Sequence, residues 1–188
     1  MNASEIFFWV LISVFCLAFL FLIVEVVAFQ IVKIKGKKLL PDVKEDRLLM
    51  FEISLSLRQT KIIAKEILPY IENGDIIVLQ GDLGAGKSVL TREILGQLGV
   101  KNKITSPTFT LVNEYKTGNG HYYHFDMYRL EDETEAENIG FEEMIADGEA
   151  IKFVEWAENV KNYLPKHYKK ISIAKLGKHS RAIAFEQI

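Results

Sequence analysis

Gly81-Asp82-Leu83-Gly84-Ala85-Gly86-Lys87-Ser88 fits the spacing G-x-x-x-x-G-K-[ST] of a phosphate-binding loop, a pattern that requires a strand before it and a helix after it. Both flanks have that character. Within the expected strand Asp75 to Gln80, Ile76-Ile77-Val78-Leu79 is a short apolar run without a polar break, as a strand buried on both faces reads. Val89 to Leu98 resumes helical periodicity and closes at Gly99. A chance match to the motif alone arises in roughly one chain in 200 of this length, so the added context makes the signal specific. The glycines let consecutive main-chain N–H groups turn inward around a β-phosphate, and the helix beginning at Ser88 adds its positive dipole end. Lys87 then bridges the β- and γ-phosphates, and the Ser88 hydroxyl ligates Mg²⁺.

A magnesium site needs a carboxylate at the end of a neighbouring strand. Two acids qualify: Asp126 after Tyr122-Tyr123-His124-Phe125, and Glu155 after Ile151-Lys152-Phe153-Val154. Spacing does not choose between them; one would hold the metal and the other orient the attacking water. Elsewhere in the domain, Ser56 to Tyr70 has helical spacing of Ile62, Ile63, Ile67 and Leu68, ended by Asn73-Gly74. Phe109 to Tyr115 and His121 to Tyr128 read as strands joined through Lys116-Thr117-Gly118-Asn119-Gly120. Thr134 to Ala146 reads as a helix, Ile151 to Trp156 as a buried strand, and Lys170 to Leu176 with Arg181 to Glu186 as a closing pair.

Four ordered segments resemble one family. Beside the phosphate loop they are Ile104-Thr105-Ser106-Pro107-Thr108-Phe109-Thr110-Leu111-Val112-Asn113-Glu114-Tyr115, His124-Phe125-Asp126-Met127-Tyr128-Arg129-Leu130, and Val154-Glu155-Trp156. In this order they resemble the TsaE family, formerly YjeE, from about Thr60 to Arg181. The resemblance implies the ATPase component of the machinery that forms N6-threonylcarbamoyladenosine in tRNA, working with TsaD and TsaB proteins that perform the transfer. It also implies the fold class, α/β, a P-loop NTPase sandwich with a mixed central sheet, and the site roles. Lys87 and Ser88 match the P-loop lysine and metal-binding hydroxyl, Glu155 the magnesium-associated glutamate, and Asp126 the aspartate of hydrolysis. Trp156 matches the tryptophan beside the site, Thr108 a γ-phosphate sensor in a switch-like loop, and Thr60 a position near the adenine. Gly81, Asp82, Leu83, Gly84, Ala85, Gly86, Lys87, Ser88 and Val89 form the nucleotide-contacting run. Many members have a second hydroxyl where this chain has Val89, so the contact expected near the α-phosphate is missing and a lower nucleotide affinity follows.

Ahead of the domain, from Ile6 to Val32, only Ser13, Glu25 and Gln30 interrupt an apolar run; Ile6 to Val24 alone makes a helix of about 28 Å, enough to span a bilayer. Met1 to Glu5 carries no basic residue, unlike a secretory signal. Lys33, Lys35, Lys37, Lys38 and Lys44 follow the run, which places residues 1–5 outside, residues 6–32 in the membrane, and the rest in the cytosol. Residues 33–49 read as a charged tether and residues 50–188 as the ATPase domain. The membrane segment has no counterpart in the family, and a start at Met50 would instead leave a cytoplasmic protein.

The 188 residues bound the chain to one domain and an appendage. With 23 Lys and Arg against 25 Asp and Glu, there is no basic field for gripping nucleic acid directly, so tRNA is reached through partners. The single Cys, Cys16, excludes an intrachain disulfide or a Cys-based zinc site. His121 and His124 fall on opposite faces of a strand, which argues against a shared metal. The acid-rich stretch Glu131 to Glu143 reads as a solvated helix face. No N-K-x-D guanine reader occurs. Three functions remain: an ATPase of the threonylcarbamoylating machinery, a membrane-tethered nucleotide-binding scaffold with little turnover, and a small-molecule kinase whose lid and substrate motifs are not found.

Overall fold

Alternation of side chains along the strands builds the domain. The strands are β1 (Leu48–Ser54), β2 (Ile76–Gln80), β3 (Val112–Thr117), β4 (Gly120–Asp126), β5 (Ala150–Glu155), β6 (Lys169–Lys175) and β7 (Arg181–Gln187). They form one seven-stranded mixed sheet in the order β1-β7-β6-β2-β5-β4-β3. The four central strands β6, β2, β5 and β4 run parallel, whereas β1, β7 and β3 pair antiparallel at the edges. The computed structural model describes residues 3–130 and 133–188. Met1 and Asn2, in the expected external segment, and Glu131 and Asp132, heading the acid-rich stretch, lie outside the described residues.

Ile77 and Leu79 of β2, Tyr122 of β4, Ile151 and Phe153 of β5 and Ile171 and Ile173 of β6 point to one face, which α2 (Leu57–Ile67) and α3 (Lys87–Gln97) cover. The intervening residues Ile76, Val78, Phe125 and Val154 face the other side, packed by α4 (Glu133–Asn138), α5 (Phe141–Ala146) and the turn around Val160. Ser56 caps α2 by accepting from the Gln59 N–H at 3.3 Å. Period-two alternation therefore sends His124 and Asp126 of β4, and Glu155 of β5, to the face that α3 begins on.

The expected helix Thr134 to Ala146 is two helices, because Gly140 adopts φ 70° between them. The expected strand from Phe109 starts only at Val112; Thr110 N–H instead closes a turn onto the Pro107 carbonyl at 3.0 Å, and Leu111 sits at φ 61°.

Two units divide the chain, Met1–Lys35 and Gly36–Ile188. The described residues of the first, up to Lys35, belong to α1 (Ala3–Lys38), whose segment Leu11–Lys38 is the one helix among the described residues long and apolar enough to cross a membrane. In the second, the stretch expected as a tether is folded onto the sheet. Gly36 is buried against Ile53, Phe51 and Ala182, Lys37 pairs with Glu45 at 2.8 Å, and the Lys44 N–H donates to buried Glu186 at 3.0 Å. The domain thus gathers in residues from Gly36 onward, and its first strand starts at Leu48 rather than Met50.

Candidate functional site

The phosphate loop leaves β2 at the centre of the sheet, between parallel neighbours β5 and β6, where an open α/β sheet presents the carboxyl ends of its strands to a ligand. Two glycines shape it. A Cβ on Gly81 would lie 2.4 Å from the Ile173 carbonyl oxygen, and Gly86 caps α3 at φ 112°; neither position admits another side chain without strain. Outward-facing carbonyls of the loop are held from the β6–β7 hairpin. Lys175 donates to the Leu83 oxygen at 2.9 Å and Arg181 Nε to the Ala85 oxygen at 2.6 Å.

Lys87 is 5% exposed. Its ammonium donates to the carbonyls of Gly81 at 2.6 Å and Asp82 at 3.3 Å and lies 3.9 Å from the centre of the Trp156 ring. Burial holds its pKa below the ordinary lysine range, while the Glu155 and Asp126 carboxylates pull the other way. Trp156 itself adopts φ 59° directly after Glu155 and packs against Tyr128 with the rings tilted by 45° and their centres 4.8 Å apart. Such a backbone outlier beside a polar cluster is strain held by its surroundings.

The two carboxylates are strand neighbours, Asp126 lying opposite Glu155 in the β4–β5 register. Both are buried, at 4% and 2% exposure. Ser88 donates to Glu155 Oε2 at 3.0 Å, and Thr108 donates to Asp126 Oδ2. Ser106 lies between them, its hydroxyl 3.3 Å from both Ser88 Oγ and Asp126 Oδ2 and 3.0 Å from Thr108. His124 Nε2 approaches the second Glu155 oxygen, Oε1, at 2.9 Å. The groups that converge at the mouth of the loop, Ser88, Ser106, Thr108, Asp126 and Glu155, are all oxygen donors. That set suits a hard cation of the magnesium kind and not a soft one.

Cavities flank the loop on two sides. One of about 320 Å³ is lined by Lys87, Ser88, Thr108, Asp126, Glu155 and Trp156. The other, of about 660 Å³ and largely apolar, includes Leu55, Thr60, Val89, Ile173 and His179. They meet at Gly86, Val89 and Arg181. A polyphosphate on the loop would reach the cavity holding Asp126 and Glu155 at one end and carry an apolar group into the other.

The structure places the site residues read from the sequence around this loop. Lys87, Ser88, Thr108, Asp126, Glu155 and Trp156 gather at the carboxylate end, with Gly81 to Gly86 as the loop between. Thr60 and Val89 line the apolar end, with Thr60 bonded to Ser54 Oγ at 2.7 Å. Sequence reasoning passed over Ser106 as a ligand-side hydroxyl, Lys175 and Arg181 as props of the loop, and His124 as a partner of Glu155. The basic turn from Lys175 to Arg181 carried a signal in its charge, but such a run ordinarily reads as a solvated face.

Comparison with known proteins identifies the family. The profile of the family described as "Threonylcarbamoyl adenosine biosynthesis protein TsaE" matches residues 54–183. A Bacillus subtilis protein named tRNA threonylcarbamoyladenosine biosynthesis protein TsaE is 38% identical over 130 residues, covering 69% of this chain and 80% of that protein. The proteins of the same name from Rickettsia typhi and Aquifex aeolicus are 44% and 41% identical, each matched over 75% of its length and covering 58% and 56% of this chain. The crystal structure of Bacillus subtilis YdiB superposes with a TM-score of 0.60 at 29% identity, covering 74% of this chain and 85% of that one. Together with the phosphate loop and the paired strand-end carboxylates, these matches show that the chain belongs to the TsaE family of tRNA threonylcarbamoyladenosine biosynthesis proteins.

Proposed function

We propose that this chain is a Mg²⁺-dependent ATPase whose hydrolysis drives cycling of a TsaD–TsaB complex, tRNA being handled by those partners. The observation that carries the reading is the placement of Ser88, Asp126 and Glu155 around one point at the mouth of the phosphate loop. The loop N–H groups and the start of α3 bind the phosphates, and Lys87 turns its ammonium from the Gly81 and Asp82 carbonyls onto the β- and γ-oxygens. Ser88 and Glu155 would hold the metal. When bound, Mg²⁺ supplies neutralisation of the charge that builds on the phosphate oxygens. Asp126 orients the attacking water through Oδ2, and Thr108, released from that oxygen, donates to the γ-phosphate. The adenine enters the apolar cavity beside Thr60.

The segment α1 is proposed to anchor the protein in a membrane, with the lysines from Lys33 to Lys44 on the cytosolic side. Single-turnover hydrolysis of ATP, with and without added TsaD and TsaB, tests the enzyme reading. Stimulation by the partners is expected. Turnover that stays at background would leave a nucleotide-binding scaffold instead.

A further inference from the structure

We propose that His124 is a positioning residue for Glu155, gripping one carboxylate oxygen so that the other faces Ser88 and the metal as a single, fixed ligand. A carboxylate only accepts hydrogen bonds, so the 2.9 Å contact requires the proton on His124 Nε2. Oε1 is thereby taken, and Oε2, which accepts from Ser88 at 3.0 Å, is left as the oxygen turned toward the site. A monodentate, pre-aimed carboxylate matches the octahedral demands of Mg²⁺.

The strand register makes the grip possible. His124 lies opposite Phe153, so Glu155 is its diagonal neighbour on the face that α3 begins on, within reach of an imidazole. His124 is 1% exposed and Glu155 2%, so bulk water cannot replace the bond if it is removed. The remaining ring nitrogen, Nδ1, has no hydrogen-bond partner among the described residues. Glu155 is therefore the polar partner that accounts for a buried imidazole carrying an unpaired nitrogen at some cost. Hydrogen bonds of this kind to a metal-ligating group set its orientation, and their loss weakens metal binding by about 10- to 100-fold.

The inference rests on the ATPase reading, and its test separates the two. Binding of a fluorescent ATP analogue to the full chain in detergent micelles is measured with EDTA and across free Mg²⁺ concentrations. His124→Phe should leave the metal-free affinity within about twofold and raise the Mg²⁺ needed for half-saturation about 10- to 100-fold. His124→Gln, which retains a donor, should recover most of that loss. An unchanged Mg²⁺ requirement in folded His124→Phe, or a parallel fall in metal-free affinity, would overturn the assignment. If His124→Phe does not fold, the pair His124→Gln and His124→Asn decides: the shorter Asn must need more Mg²⁺ than Gln, and equal requirements refute the role. Wild-type binding without any Mg²⁺ dependence would instead bring down the ATPase reading itself.

Discussion

Burial lowers the pKa of Lys87, and its bonds to the Gly81 and Asp82 carbonyls are the ones that a phosphate would replace. Lys87→Ala should therefore weaken ATP binding by about 100-fold or more, and wild-type affinity in a calorimetric titration would contradict the phosphate assignment. Asp126→Asn keeps the shape and removes the charge. Turnover should fall by about 10²- to 10⁴-fold while binding changes little; the opposite pattern would exchange the roles of Asp126 and Glu155. A second lysine gives a pH signature. Lys152 is 1% exposed and donates to the carbonyls of Gly74, Asp147 and Ala150, and its burial lowers its pKa. Between that lowered value and the ordinary lysine value, the unfolded chain binds more protons than the folded one, so Lys152 makes stability rise with pH in that window. Denaturant titrations at neutral pH and near pH 10 should show wild type gaining on Lys152→Met as the pH rises; a constant difference would refute the shift. The residues of the loop were legible because the motif is contiguous. The His124–Glu155 contact was not, since it depends on β4 lying beside β5, an ordering that no local spacing encodes.

Strand β2 read correctly from its unbroken apolar run, β5 from one broken only by Lys152, and the hairpin β3–β4 from its glycines, because burial on both faces and turn chemistry are local signals. The single helix read from Thr134 to Ala146 runs through Gly140, whose left-handed backbone between α4 and α5 breaks it. Most was hidden at Gly36–Leu48. Charged residues and Pro41 read as a free tether, yet a Cβ on Gly36 would sit 2.9 Å from Ile53 Cδ1 and 3.0 Å from Ala182 Cβ. The glycine marks a close approach that periodicity does not register. Gly36→Leu should overpack this contact at a cost of about 1–3 kcal/mol, lowering Tm by several degrees and speeding proteolytic cleavage after Lys37 and Lys38. Unchanged Tm and cleavage would mean that the segment is not docked in solution.

At the scale of the whole molecule, the chain joins a TsaE-family domain to a long apolar helix. If that helix spans a bilayer, Cys16, the single cysteine of the chain, lies within the hydrocarbon. A membrane-impermeant maleimide should then label it only after the membrane is dissolved, and equal labelling of intact membranes would contradict the span. The proposed ATPase depends above all on a polyphosphate seated on the loop with its metal between Ser88 and Glu155. Isothermal titration of the full chain with ATP, in Mg²⁺ and in EDTA, tests that most directly. One nucleotide per chain, bound more tightly with Mg²⁺ and lost in Lys87→Ala, is the expected result; no binding heat in the wild type under either condition would contradict it.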